Sequence, residues 1–159
     1  MSRVGVISDT HGLVRPEAVE FLQGCTSIIH CGDICEPQVL DELSRIAPIR
    51  AVRGNNDTGS WARRLPEADL IRCGEIVVYA IHDLSQLALD PVAAGVAVVL
   101  SGHSHRPHLE KRAGVVYLNP GSAGPRRFKL PVSIAELNIE GTAVTPRIVR
   151  LDPEDGRNA

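Results

Sequence analysis

Aromatic residues are scarce. Phe21, Trp61, Tyr79, Tyr117 and Phe128 are the only five in 159 residues. The interior is therefore aliphatic, and rows of exposed rings for stacking single-stranded bases are not expected. Lysine is scarcer still: the 17 basic residues include only Lys111 and Lys129, and 19 acidic residues leave a net charge of −2. That balance argues against a nucleic-acid partner, which calls for a basic footprint. No run approaches the ~20 apolar residues of a membrane helix, so no membrane partner is expected. The opening stretch lacks the apolar core of a secretion signal and reads as a strand. The four cysteines, Cys25, Cys31, Cys35 and Cys73, lack the CxxC spacing of zinc or thioredoxin-like sites. They are expected as reduced thiols of a cytoplasmic protein.

What the chain does have is a series of short Val- and Ile-rich runs. With 43% hydrophobic and 23% charged residues, it reads as one globular domain over residues 1–159, with a polar, frayed tail from about 152. Residues 3–8, 27–31, 49–53, 75–81, 96–101, 115–118, 132–139 and 143–150 have strand character. Pro16 and Pro37 mark helix starts, closed by Gly24 and Pro48. A third helix is expected within residues 85–94. The first half reads βαβαβ, which implies an α/β fold with parallel pairing. The second half is mostly strands, with a hairpin around Ile139–Thr142. Residues 54–70 and 119–131 are the longest irregular stretches and the natural places for functional loops.

Polar and metal-capable residues gather where these strands end. The ends read Ser8-Asp9-Thr10-His11-Gly12, His30-Cys31-Gly32-Asp33, Arg53-Gly54-Asn55-Asn56-Asp57, His82-Asp83, Gly102-His103-Ser104-His105 and Asn119-Pro120-Gly121-Ser122. Carboxyl ends of strands are where open α/β sheets bind ligands. Asp, His and Asn suit hard or borderline divalent cations. An extended backbone would place Asp9 and His11 on one face, and likewise His103 and His105. Asp33 can supply the anion that two close metals share.

This ordered set resembles the calcineurin-like metallophosphoesterases. More closely, it resembles their small bacterial and archaeal phosphodiesterase branch, which has the retromer scaffold subunit of eukaryotes as a relative. The resemblance runs from about Val4 to Val149. It implies a four-layer αββα sandwich, two mixed sheets face to face with helices outside. It also implies two divalent metal ions, manganese first, with nickel, iron or zinc as alternatives. Carried over, Asp9, His11 and His105 hold one metal, Asn55, His82 and His103 hold the other, and Asp33 bridges. Asp33, Asn55 and His82 are also the catalytic candidates. The implied reaction is hydrolysis of a small phosphodiester by a hydroxide lying between the two cations.

Two departures stand out. Many members carry His where this chain has Asn56, and Asn cannot act as a general acid near neutral pH. Poor leaving groups should therefore react slowly. The residue after His82 is commonly Gly but here is Asp83, which could orient His82 from behind. Among the other residues, His30 reads as a core histidine and His108 as solvated. Asp57 reads as a support for Asn55 or its loop or as a turn residue, and Arg126 and Arg127 as substrate-phosphate contacts or a solvated loop pair. Trp61 reads as a lid or dimer contact. Asn119–Ser122 resembles a turn closing the site. A non-catalytic protein-binding scaffold on the same fold, or a phosphatase or nuclease using the same metals, are the rival functions. A homo-oligomer is left open.

Overall fold

The computed structural model describes residues 1–152. Strands β1 (Ser2–Ile7), β2 (Ser27–His30) and β3 (Ile49–Ala51) run parallel. Helices α1 (Pro16–Leu22) and α2 (Pro37–Ser44) make the two crossovers. Each helix begins at its proline, whose missing N–H is no loss at a first helical position. The hairpin β9 (Ser133–Glu140) and β10 (Ala143–Arg150) adds antiparallel to β1, giving the order β10-β9-β1-β2-β3. A second mixed sheet has the order β4-β5-β6-β8-β7. Its strands are β4 (Ala68–Cys73), β5 (Ile76–Ile81), β6 (Val98–Leu100), β7 (His108–Arg112) and β8 (Val115–Asn119).

The two sheets bury one aliphatic core between them. Val4, Val6, Ile29 and Leu137 from the first meet Val78, Val98, Leu100 and Leu118 from the second. Each such side chain contributes roughly 1.5–3 kcal/mol by leaving water. A second layer lies outside the first sheet, where Ala18 and Leu22 of α1 and Val39 and Leu43 of α2 cover Ile7, Ile28 and Ile134. The short helix α3 (Ser60–Arg63) adds Trp61 to this layer. Trp61 packs half-buried against this layer. A third cluster (Val96, Val99 and Val115) lies on the outer face of the second sheet beneath Leu84 and Leu89.

That outer cover corrects the helix expected within residues 85–94. Only a single 3-10 turn forms, Leu84–Gln86, capped by Ser85 N–H donating to the Asp83 carboxylate. Pro91 has no N–H and disfavours a helical Asp90, so the run cannot propagate. Asp90 instead accepts from Val92 N–H at 3.1 Å and closes a local turn. Strands β4 and β7 also lie outside the expected runs. Both are sheet edges, and β7 exposes four of its five residues, so neither shows an apolar run. His108 is exposed there, paired with Glu110 at 2.7 Å.

The four cysteines carry no disulfide. No described helix is long and apolar enough to cross a membrane. Asp152 is not frayed: it accepts from Arg150 at 2.6 Å and lies 3.7 Å from Arg126. The rest of the expected tail, 153–159, lies outside the described residues.

Glu136 on β9 is a buried carboxylate clamped by Arg3 at 2.6 Å, Arg147 at 2.9 Å and Asn138 at 3.0 Å. Burial alone would raise its pKa, but the hydrogen bonds prevail and hold it down at about 2, from an ordinary 4.5. A depressed folded-state pKa stabilises the fold above the unfolded value, and that stability is lost as pH falls through the folded one. Glu136→Gln should cost about 2 kcal/mol at neutral pH. In urea unfolding, the gap to wild type should close between about pH 4.5 and pH 2. A gap that stays constant over that range would contradict this account.

Candidate metal centre

Six strand ends meet at one rim. Backbone hydrogen bonds zip the loops after β1 and β2 together: Asp9 N–H donates to Gly32 C=O at 2.9 Å, and His11 N–H to Asp33 C=O at 3.0 Å. Gly102 N–H joins the other sheet's loops by donating to His82 C=O at 2.9 Å. Glycine is required at two of these closures. A Cβ on Gly32 would lie 2.6 Å from His82 Nδ1, and a Cβ on Gly102 would collide with Ser8 Oγ.

The backbone at the rim is not extended, as the alternation argument assumed. Asp9, His11, Asp33, His103 and His105 have φ of 54, 46, 58, 74 and 63°, all left-handed. Each costs roughly 1 kcal/mol, and such residues persist only where the surroundings impose them. The turned backbone, not a shared strand face, aims Asp9 with His11 and His103 with His105.

All seven expected ligands come together. Their polar atoms form an unbroken series. His105 Nε2 is 3.4 Å from Asp9 Oδ1, which is 3.9 Å from His11 Nε2. His11 Nε2 is 3.7 Å from Asp33 Oδ2, which is 3.4 Å from His82 Nε2. His82 Nε2 lies 3.0 Å from Asn55 Oδ1, which is 3.1 Å from His103 Nδ1. Asp33 stands in the middle. Asp9–His11–His105 and Asp9–Asp33–His82 each gather three ligand atoms within 4.8 Å of one another.

The donor set suits divalent cations. Asp9 Oδ1, His11 Nε2 and His105 Nδ1 are buried with no hydrogen-bond partner, a costly arrangement unless something else satisfies them. His82 Nδ1 donates to the Cys31 carbonyl at 2.7 Å. In a neutral ring this leaves a lone pair on Nε2, aimed at the oxygens of Asp33 and Asn55, and a cation resolves that meeting of acceptors. Burial lowers the pKa of His11, and it lowers that of His105 to about 4. Neutral imidazole is the metal-binding form. Burial also raises Asp9 to about 6, against the opposing bond from Ser8. Asp33 is raised by burial too, but when His82 is doubly protonated its Nε2–H donates to Asp33. With the Asn56 backbone N–H this outweighs burial and holds Asp33 well below the usual carboxylate range. Burial would lower His82, but the same contact raises it, so a cation at Asp33 takes the place of that proton.

The surrounding residues explain how the ligands are held. Asp57 carries a larger share than a turn residue would. Its carboxylate accepts from four backbone N–H groups: Asp33 at 3.0 Å, Ile34 and Cys35 at 2.8 Å, and Gly54 at 2.7 Å. Asn56 donates to both Asp33 oxygens, from its backbone at 2.9 Å and its amide at 3.0 Å. Ser8 donates to Asp9 Oδ2 at 2.7 Å. Asn119 donates to Gly102 C=O at 3.0 Å, and Ser122 to Asp9 C=O at 2.9 Å. His30 is a core histidine: Gly32 N–H donates to its Nδ1 and its Nε2 donates to Thr10 Oγ1, both at 3.0 Å.

Two expectations change, and one contact is new. Asp83 does not orient His82, a role taken by the Cys31 carbonyl. Asp83 bonds Ser85 and lies 3.9 Å from His103 instead. Arg126 is turned away from the site toward Leu130 C=O and Asp152, and Arg127 is the member of the pair whose charge acts on His11 and His105. Cys35, not singled out in the sequence, places its sulfur 3.4 Å from His11 Nδ1. Nothing in the spacing of a lone cysteine signals that contact.

Residues 2–142 match the family model of the calcineurin-like phosphoesterase superfamily domain. A protein of Methanothermobacter thermautotrophicus, named a probable metallophosphoesterase, is 37% identical over 158 residues, covering 92% of this chain and 91% of its own. A protein of Methanocaldococcus jannaschii, named a phosphodiesterase, is 28% identical over 137 residues, covering 75% of this chain and 82% of its own. Vps29 of Chaetomium thermophilum is similar in structure with a TM-score of 0.83, covering 98% of this chain and 92% of that one. At 17% identity the likeness is one of fold.

Proposed function

The chain belongs to the calcineurin-like phosphoesterase superfamily, and from that premise we propose that it is a metal-dependent phosphodiesterase acting on small phosphodiesters. The observation that carries this is the unbroken series of ligand atoms with Asp33 at its centre. Asp9, His11 and His105 would hold one divalent cation, Asn55, His82 and His103 a second, and Asp33 would touch both. Manganese leads the candidate metals, with nickel, iron and zinc behind it, since oxygen and imidazole donors accept all four. Such a pair would supply Lewis acidity to phosphoryl oxygens and would lower the pKa of a bound water.

The chain's own residues do the positioning. The Cys31 carbonyl fixes the tautomer of His82. Asp57 ties the backbone of Asp33 to that of Gly54, next to Asn55. The ligand set brings only two negative charges, Asp9 and Asp33, so a loaded site stays cationic and draws an anionic diester. Asn56 faces Asp33 and offers no proton to a leaving group. Diesters with good leaving groups should therefore react faster than those with poor ones.

Protein stripped of metal should not hydrolyse bis(p-nitrophenyl) phosphate and should gain activity when Mn²⁺ is added. A folded protein inactive with Mn²⁺, Ni²⁺, Co²⁺ and Zn²⁺ would overturn the enzyme reading and favour the scaffold.

A further inference from the structure

The ligand series does not end in open solvent on its Asn55–His82–His103 side. There it borders a cavity of about 500 Å³, within the roughly 300–1,000 Å³ typical of small-molecule sites. Tyr79 and Ile81, two apart on β5, share one face of the strand. They line the cavity together with Ala68 of β4, which pairs with Ile81. These give an apolar wall with one aromatic ring. The rim is polar. Arg53 is paired with Glu67 at 3.1 Å, and Asp83 and Gln86 complete it.

The charge count selects among occupants. Arg53 is paired with Glu67 and the Asp57 carboxylate is held by four backbone N–H groups, so the carboxylate of Asp83 is left to set the sign of the rim away from the metal ligands. A second phosphate would be repelled there, which disfavours substrates extended by further phosphates. An uncharged group with hydroxyls finds partners in Gln86 and Asp83, and a ring finds the aromatic wall.

Resting on the phosphodiesterase reading, we propose that this cavity receives one ester group of the substrate, and that the group is neutral, hydroxylated and ring-bearing, of nucleoside type. Tyr79 is then a specificity-determining residue. It lines the wall, and it is neither a ligand candidate nor bonded to one.

The test compares three diesters with one leaving group: the p-nitrophenyl esters of thymidine 5′-phosphate, glycerol 3-phosphate and methyl phosphate. With the leaving group held constant, the ratio of kcat/KM values reads the cavity alone. The thymidyl ester should exceed the methyl ester, and Tyr79→Ala should lower that ratio about tenfold, mainly through KM. Tyr79→Phe, which keeps the ring, should retain most of it. A glyceryl ester equal to the thymidyl ester, with no loss in Tyr79→Ala, would overturn the ring-bearing assignment. No preference over methyl for either would overturn the cavity proposal altogether. Binding of thymidine 5′-monophosphate, measured by calorimetry on wild type and Tyr79→Ala, gives a readout apart from turnover. If the metal-loaded protein hydrolyses none of the esters yet binds the nucleotide through Tyr79, the phosphodiesterase reading fails and the cavity assignment stands. If wild type hydrolyses the esters but Tyr79→Ala leaves both ratio and binding unchanged, the cavity assignment fails alone.

Discussion

Asp33→Ala is expected to bind no more than one divalent ion per chain and to lose phosphodiester hydrolysis. Asp33 Oδ2 lies 3.7 Å from His11 Nε2 and 3.4 Å from His82 Nε2, so its removal takes an anion from both halves of the site at once. Changing a residue that merely supports a metal ligand commonly costs about 10–100-fold, and a shared ligand should cost more than the upper figure. Elemental analysis gives the metal count, and bis(p-nitrophenyl) phosphate gives the rate. Asp33 sits at φ 58°, where alanine adds strain of its own. Asp33→Asn is therefore the companion variant, since asparagine tolerates that conformation but brings no charge. Full metal content with near-normal activity in both variants would overturn the shared-ligand assignment.

Asp57→Ala should produce the largest loss of stability of any single change near the site. Four backbone N–H groups converge on this one carboxylate. An unsatisfied buried donor costs about 1–3 kcal/mol. Even with partial relaxation and entry of water, the total should reach about 4 kcal/mol, a large part of the 5–15 kcal/mol that holds an ordinary domain. Asp57→Asn should fall between. Two N–H groups point at each oxygen, so whichever way the amide is turned, its NH₂ faces two donors. Thermal unfolding of the three proteins would rank them wild type, Asn, Ala. An Asn variant as stable as wild type would show that the four bonds contribute little. Asp33 is held in the same clamp through its own N–H, as is Gly54 beside Asn55, so metal affinity should weaken along with stability.

The first half of the fold is legible in the sequence because its punctuation is local. Pro16 and Pro37 start helices wherever they are followed by good helix formers. The buried parallel strands show continuous apolar runs, since both of their faces are covered. What stayed hidden depends on partners distant in sequence. Strand β7 exposes four of its five residues and is a strand because β8 lies beside it. The run around 85–94 reads as a helix, and Pro91 together with the turn-closing carboxylate of Asp90 decides against one. At the site, residue types revealed the ligands, but not the left-handed backbone that aims five of them. The reach of Asp57 across 24 residues to Asp33 has no local signature. Arg126 lies 3.7 Å from Asp152, a partner 26 positions further along the chain.

The left-handed conformations at Asp9, His11, Asp33, His103 and His105 also constrain descent. A lineage that stopped needing metal would still inherit these turns, because the zipped loops between the sheets depend on them. Replacements there should drift toward asparagine, glycine or the other residues that accept positive φ, while valine, isoleucine and threonine stay barred. Loss of chemistry in such a lineage would precede loss of shape. The rim would survive as a rigid, polar surface, free to be recruited for contact with another protein.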